Sequence, residues 1–231
     1  MRSNICQKHL LNIADKKIEV YASPEYDNPV IYLNTFAGEG EKVYQALCNT
    51  DCPDFTLVAI GGLTWDHDMA PWDIPPISKN DTPCTGGADK YLQLLTDEIV
   101  PEVESLMRGR VLWRGLAGYS LAGLFALYSL YHADIFSRVA SMSGSLWFPD
   151  FKEYVFSNKM KKEPEHLYLS LGSRECKTTN PYLRTVRKNT EEIYAFYKQQ
   201  GIDTQFQLNP GNHYQDAAQR TAQGIQWILK K

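Results

Sequence analysis

Short runs rich in β-branched and aromatic residues alternate along this chain with longer amphipathic stretches, and that alternation leaves few folds open. The runs are PVIYLN at 29–34, FTLVAIG at 55–61, VLWRGLAG at 111–118, RVASMSG at 138–144, LYLSLG at 167–172 and TQFQLN at 204–209. Each is short and apolar enough for a buried strand. Between them the spacing predicts helices over 40–49, 88–107, 121–132, 184–200 and 214–230, the last with Ala218, Ala222, Ile225, Ile228 and Leu229 as its apolar stripe. Parallel neighbours need crossover connections, and crossover helices cover the sheet. The pattern therefore implies an α/β fold, a mostly parallel central sheet with helices on both faces. Within the first 28 residues, IEVYAS before PEYDNP adds an antiparallel edge. Pro101 falls inside the second predicted helix, where its ring and missing N–H predict a kink or a restart.

The 231 residues contain no Gly/Ser or Pro tract, no long charge block and no fixed-period repeat, so the expectation is a single domain over 1–231. With 24 basic and 27 acidic side chains, the net charge is -3. That lacks the basic excess needed to neutralise phosphates, which argues against nucleic acid as a partner. No stretch reaches the roughly 18 apolar residues of a membrane span. The opening MRSNICQKHLLNIADKK lacks the apolar core of a signal peptide, so the expected location is cytoplasmic and no membrane partner is expected. Cys6, Cys48, Cys52, Cys84 and Cys176 are odd in number and scattered, which reads as free thiols. No CxxC pair completes a zinc set, and the consecutive side chains Asp66, His67 and Asp68 are poorly placed to converge on one ion, so no metal is expected.

Ligands of such sheets bind beyond the carboxyl ends of the strands. After VLWRGLA come Gly118, Tyr119, Ser120, Leu121, Ala122 and Gly123, then the apolar helix LFALYSLYH. A serine at the apex of a strand, sharp turn and helix is a nucleophile candidate, and small residues two before and two after it prevent clashes where strand and helix nearly touch. Gly118 and Ala122 meet that demand. The motif alone is weak; its context carries the assignment. A phosphate loop is ruled out because Leu124 and Phe125 stand where Lys and Ser/Thr are required.

A serine hydroxyl needs a base that titrates near neutrality, which points to histidine. His9 lies in the N-terminal edge, His67 in a long loop, His132 at the far end of the helix that Ser120 opens, and His166 before its strand. His213 alone follows a late strand, in the loop NPGNH. The third group must lie between the two and orient the histidine. Glu175, after LYLSLGSR, is the first candidate and Asp150, after SGSLWFP, the second; Asp203 precedes its strand, and a dyad without carboxylate is the remaining option. Two amide donors would hold the oxyanion, one from Leu121 and one from Thr35 or Phe36 in NTFAGEG.

The constellation resembles the Putative esterase family of α/β hydrolases, which includes enterochelin-type siderophore esterases and esterase D-like enzymes. Beyond GYSLAG, the segments LVAIGG, GGADKYLQLLTDEIVPEVE, SMSGSLW and PGNH are similar to that family's pattern, in the family's order. The resemblance implies the α/β-hydrolase fold, Ser120 as nucleophile, His213 as base and a carboxylate near Glu175. Two segments depart from it. LNTFAGEG lacks the Asp-Gly pair of many relatives, and TWDHDMAPWDIPP lacks the arginine associated with siderophore esterases.

Trp65, His67, Trp72, Trp147 and Phe148 fall in loops near the same sheet edge, where they either form an apolar substrate pocket or cover the core. The leading expectation is a serine carboxylic-ester hydrolase acting on a small-molecule ester, without cofactor. An acyltransferase on the same site and a catalytically silent binding module are the rivals.

Overall fold

The computed structural model of the protein describes residues 7–231, so Cys6 lies outside the described residues. Strands β1 (Gln7–Ile13) and β2 (Lys16–Ala22) form a hairpin closed by Ala14 and Asp15, both at positive φ as a two-residue turn of primed type requires. Next come β3 (Asn28–Asn34) and β4 (Thr56–Gly61), then a separate ladder of β5 (Asp73–Ile74) with β6 (Cys84–Thr85). The rest are β7 (Val111–Tyr119), β8 (Arg138–Met142), β9 (His166–Gly172) and β10 (Asp203–Asn209). The main sheet has the order β1-β2-β4-β3-β7-β8-β9-β10. Its β1/β2 and β2/β4 pairs are antiparallel and all others parallel, so the antiparallel edge has two strands.

Alternation along each strand divides the core in two. On β3, Val30 and Tyr32 join one buried cluster while Ile31 and Leu33 join the other. Helices α1 (Gly40–Cys48) and α8 (Ala217–Leu229) close the second face through Val43, Leu47, Ile225 and Ile228. The first face is closed by α3 (Ala88–Leu94), α4 (Val100–Glu104), α5 (Leu121–His132), α6 (Phe151–Ser157) and α7 (Val186–Gln199); α2 (Trp65–Asp68) is one short turn between β4 and β5. This is the α/β-hydrolase architecture. Helix α5 is buried from Leu121 through Leu130, which explains its nearly continuous apolar sequence.

The helix expected over 88–107 is interrupted by a π turn, Leu95–Ile99, in which the Val100 N–H bonds to the Leu95 carbonyl. The wide turn stands just before Pro101, where an ordinary turn would meet the proline ring, so the helix restarts rather than breaks. Helix α6 has no counterpart in the sequence expectation, and α8 begins only at Ala217 because Asp216 takes a left-handed conformation at φ 55°. Among the described residues no helix is long and apolar enough to cross a membrane.

Candidate active site

Ser120 sits between β7 and α5 at φ 60°, ψ -125°, a conformation that costs a non-glycine residue about 1–3 kcal/mol. Its surroundings hold it there. The Ser120 N–H donates to the Met142 carbonyl at 3.1 Å, and the Ser120 carbonyl accepts from the amides of Gly123, Leu124 and Ser145. A side chain at Gly118 would place its Cβ 2.2 Å from the Ala122 carbonyl oxygen, so strand and helix touch where the sequence has its small residues.

The loop after β10 brings His213 to this serine. Its Nε2 is 3.0 Å from Ser120 Oγ, and its Nδ1 is 2.8 Å from Glu175 Oε2. Glu175, in the turn after β9, has a side chain only 4% exposed. Its Oε1 accepts from the Gly172 N–H at 2.6 Å and the Ser143 hydroxyl at 2.8 Å. Burial pushes the Glu175 carboxyl up, but the His213 hydrogen bond and charge, with the Gly172 and Ser143 donors, outweigh it and hold the group below its ordinary 4.5. A carboxylate bonded to Nδ1–H leaves the Nε2 lone pair facing the serine, the arrangement a general base requires.

The alternative acids lie elsewhere. Asp150 caps α6 in a left-handed conformation, and Asp203 starts β10 and pairs with His166 at 2.9 Å. For the oxyanion, the Thr35 N–H is committed to the Ile60 carbonyl at 2.8 Å. Of the expected oxyanion donors, that leaves Phe36 and Leu121.

Two clefts meet at Ser120 and His213. The larger, about 640 Å³, is lined by residues that include Asp66, Ile77, Asp81, Trp147, Arg174 and Lys177. The smaller, about 320 Å³, is lined by Thr35, Phe36, Trp65, Tyr119 and apolar residues of β3, α1 and α8. Trp65 and Trp147 thus stand at the clefts, but Trp72 does not. Its indole packs against Phe148, Phe151 and Tyr154 and donates to the Pro149 carbonyl at 3.2 Å, because apolar partners on α6 draw it into the core. Phe148 is buried there as well. The Asp66, His67 and Asp68 side chains diverge: Asp66 accepts from the Thr82 hydroxyl, His67 bonds Thr85, and Asp68 pairs with Lys16 at 2.6 Å.

Sequence reasoning missed two residues. Arg220 on α8 is 3% exposed, and its guanidinium donates to the carbonyls of Pro210 at 2.6 Å and Asn212 at 2.8 Å, and to the Tyr119 hydroxyl at 3.3 Å. Tyr119 in turn donates to the His213 carbonyl at 2.6 Å, so the residue beside Ser120 and a helix residue together tie down the histidine loop. Ser143, which supports Glu175, is the other. An arginine among the glutamines of an amphipathic helix gives no sign of burial in the sequence. The spacing of Ser143 behind the β8 run was the signal that could have been followed.

A profile of the Putative esterase family matches residues 18–219. Uncharacterized protein YbbA of Bacillus subtilis (strain 168) is 22% identical over 235 residues, covering 94% of this chain and 94% of that one. Siderophore hydrolase EstA from Aspergillus nidulans is similar in structure, with a TM-score of 0.78 at 19% identity, over 99% of this chain and 95% of that chain. An IroE-like serine hydrolase from Shewanella oneidensis gives 0.77 at 20% identity, over 97% of this chain and 80% of the other. The structural likenesses establish the fold, while the profile spans most of the sequence. The chain therefore belongs to the Putative esterase family, as an ester hydrolase of α/β-hydrolase fold.

Proposed function

We propose that the protein hydrolyses a small carboxylic ester through an acyl-enzyme on Ser120, with His213 as base and then acid and Glu175 as its orienting carboxylate. The observation that carries this reading is the continuous Ser120–His213–Glu175 hydrogen-bond chain, built on a serine in the strained elbow conformation. His213 takes the hydroxyl proton as Ser120 Oγ attacks the carbonyl carbon. The amides of Leu121 and Phe36 receive the oxyanion, and Glu175 stabilises the imidazolium. The alcohol then departs with the proton from Nε2. Water attacks the acyl-enzyme with His213 as base again, releasing the acid. The chemistry uses only these side chains and amides, with no cofactor. An intact acid–base chain favours turnover over a fold retained for binding alone.

Labelling with a fluorophosphonate, read by peptide mass spectrometry, tests the nucleophile without a substrate guess. Stoichiometric modification at Ser120 that disappears in Ser120→Ala and His213→Ala is expected. A folded parent protein that takes no label would sink the mechanism.

A further inference from the structure

The two clefts at Ser120 differ in character, and the difference bears on which half of an ester each receives. The smaller is walled by Leu33 and Val43, both buried, and by Ala217 and Ala218 of α8. The carboxylate of Glu39, also on its lining, accepts from the Ala37 N–H at 3.1 Å, so its charge is engaged by its own loop. Phe36 is 68% exposed and Tyr214 87% exposed, and with Trp65 these rings flank the cleft, Phe36 meeting Trp65 edge to face at 5.1 Å. Aromatic surface left in water beside an apolar cavity marks a place where a ligand lies. At about 320 Å³ the cavity is near the lower end of ligand pockets, sized for one substituent rather than a whole substrate. The larger cleft is mixed, with the ionisable Asp66, Asp81, Arg174 and Lys177 among apolar residues such as Ile77, Trp147 and Leu183, so it has groups that can hold water and polar substituents where the smaller cleft has few.

Resting on the serine-esterase reading, we propose that the apolar cleft receives the acyl chain, so that the substrate class is an ester of a hydrophobic acid with a polar alcohol. The second half of the reaction supplies the reason. Once the bond from Ser120 Oγ to the acyl carbon has formed and the alcohol has left with its proton, water must reach that carbon beside His213 while the acyl group stays in place. An acyl chain held between Val43 and Ala218 leaves the larger cleft, with its ionisable groups, open for the departing alcohol and the incoming water.

Two ester series on the purified protein test this: p-nitrophenyl esters from acetate to decanoate, and acetate esters of straight-chain alcohols from ethanol to octanol. In the first, kcat/KM rises about fourfold per added methylene until the cleft is filled; in the second it does not rise. Ala218→Phe, which fills the cleft, lowers the hexanoate-to-acetate ratio about tenfold or more, as loss of two or more buried methylenes requires. Fluorophosphonate labelling of Ser120 in that variant reports that its site still stands. If Ala218→Phe does not fold, the two parent series decide alone. A flat acyl series, or a rise in the alcohol series instead, overturns the assignment while leaving the esterase reading intact. Neither labelling nor hydrolysis in the parent overturns both.

Discussion

The hydrogen bonds around Glu175 predict that its most conservative substitution is the more damaging one. In Glu175→Gln the new amide must choose an orientation. The Gly172 N–H, 2.6 Å from Oε1, can only donate and cannot turn away, so the amide oxygen takes that side and the NH₂ faces His213 Nδ1. Nδ1 must then accept, which moves the ring proton to Nε2, toward Ser120. A histidine already protonated there cannot take the serine proton. Reversing the tautomer would set two buried donors against each other, an arrangement that costs about 1–3 kcal/mol, and the imidazolium would still lack its counter-charge. Loss of the correct tautomer in an analogous Ser-His-acid site lowers kcat about 10⁴-fold, or about 5 kcal/mol. Glu175→Ala also leaves the imidazolium without its counter-charge but enforces no wrong tautomer, since water can accept from Nδ1 in the space the carboxylate leaves, so its loss is the smaller of the two. The assay is the second-order rate of fluorophosphonate labelling together with kcat/KM on a p-nitrophenyl ester, with melting curves to confirm folding. A Gln variant within tenfold of the parent, or faster than the Ala variant, refutes the tautomer argument.

Arg220→Met keeps the buried stem but removes the donors to Pro210, Asn212 and Tyr119, so chemical denaturation should show a loss of about 3 kcal/mol, and kcat should fall more than the Ser120 surroundings alone explain. Gly118→Ala drives a Cβ into the Ala122 carbonyl and should cost about 3 kcal/mol and abolish labelling, as read by melting and mass spectrometry. Removing Asp68 by substitution with Ala strands the Lys16 ammonium at a site where both partners are nearly buried, and unfolding measurements should register about 3 kcal/mol. The Glu175 carboxyl is held below its ordinary 4.5, so its contribution to stability is full above that pH and is lost as acid carries the solution down through the folded value. Denaturation at pH 6 and pH 4 should therefore show a smaller difference for Glu175→Gln than for the parent.

The parallel sheet was legible because buried parallel strands need unbroken apolar runs, and β3, β7 and β8 supply them. Ser120 and His213 were legible as candidates because each follows a strand: Ser120 an apolar run ending in small residues, and His213 the alternating edge run TQFQLN and the turn NPGN. Glu175 stood ahead of Asp150 in the sequence only by following the LYLSLG strand, and what the sequence could not supply is the 2.8 Å contact of its carboxylate with His213 Nδ1. Helix α6 escaped notice because FKEYVFS is too short for periodicity to reveal and starts from a left-handed aspartate. The fate of Trp72 was equally hidden. An indole in a loop packs wherever apolar partners from distant segments offer most contact, and those partners lie on α6.

The position of β10 at the outer edge of the sheet sets an order in time for the growing chain. Ser120 precedes His213 by 93 residues, so at typical synthesis rates the serine emerges on the order of ten seconds before the histidine proposed as its base. On the proposed mechanism, β7 and α5 can pair during that interval while the serine stays chemically inert, and reactivity begins only when β10 docks against β9 and brings its loop over Gly172. The same mechanism runs in reverse: fraying of this one edge would silence the serine while the centre of the sheet is still intact.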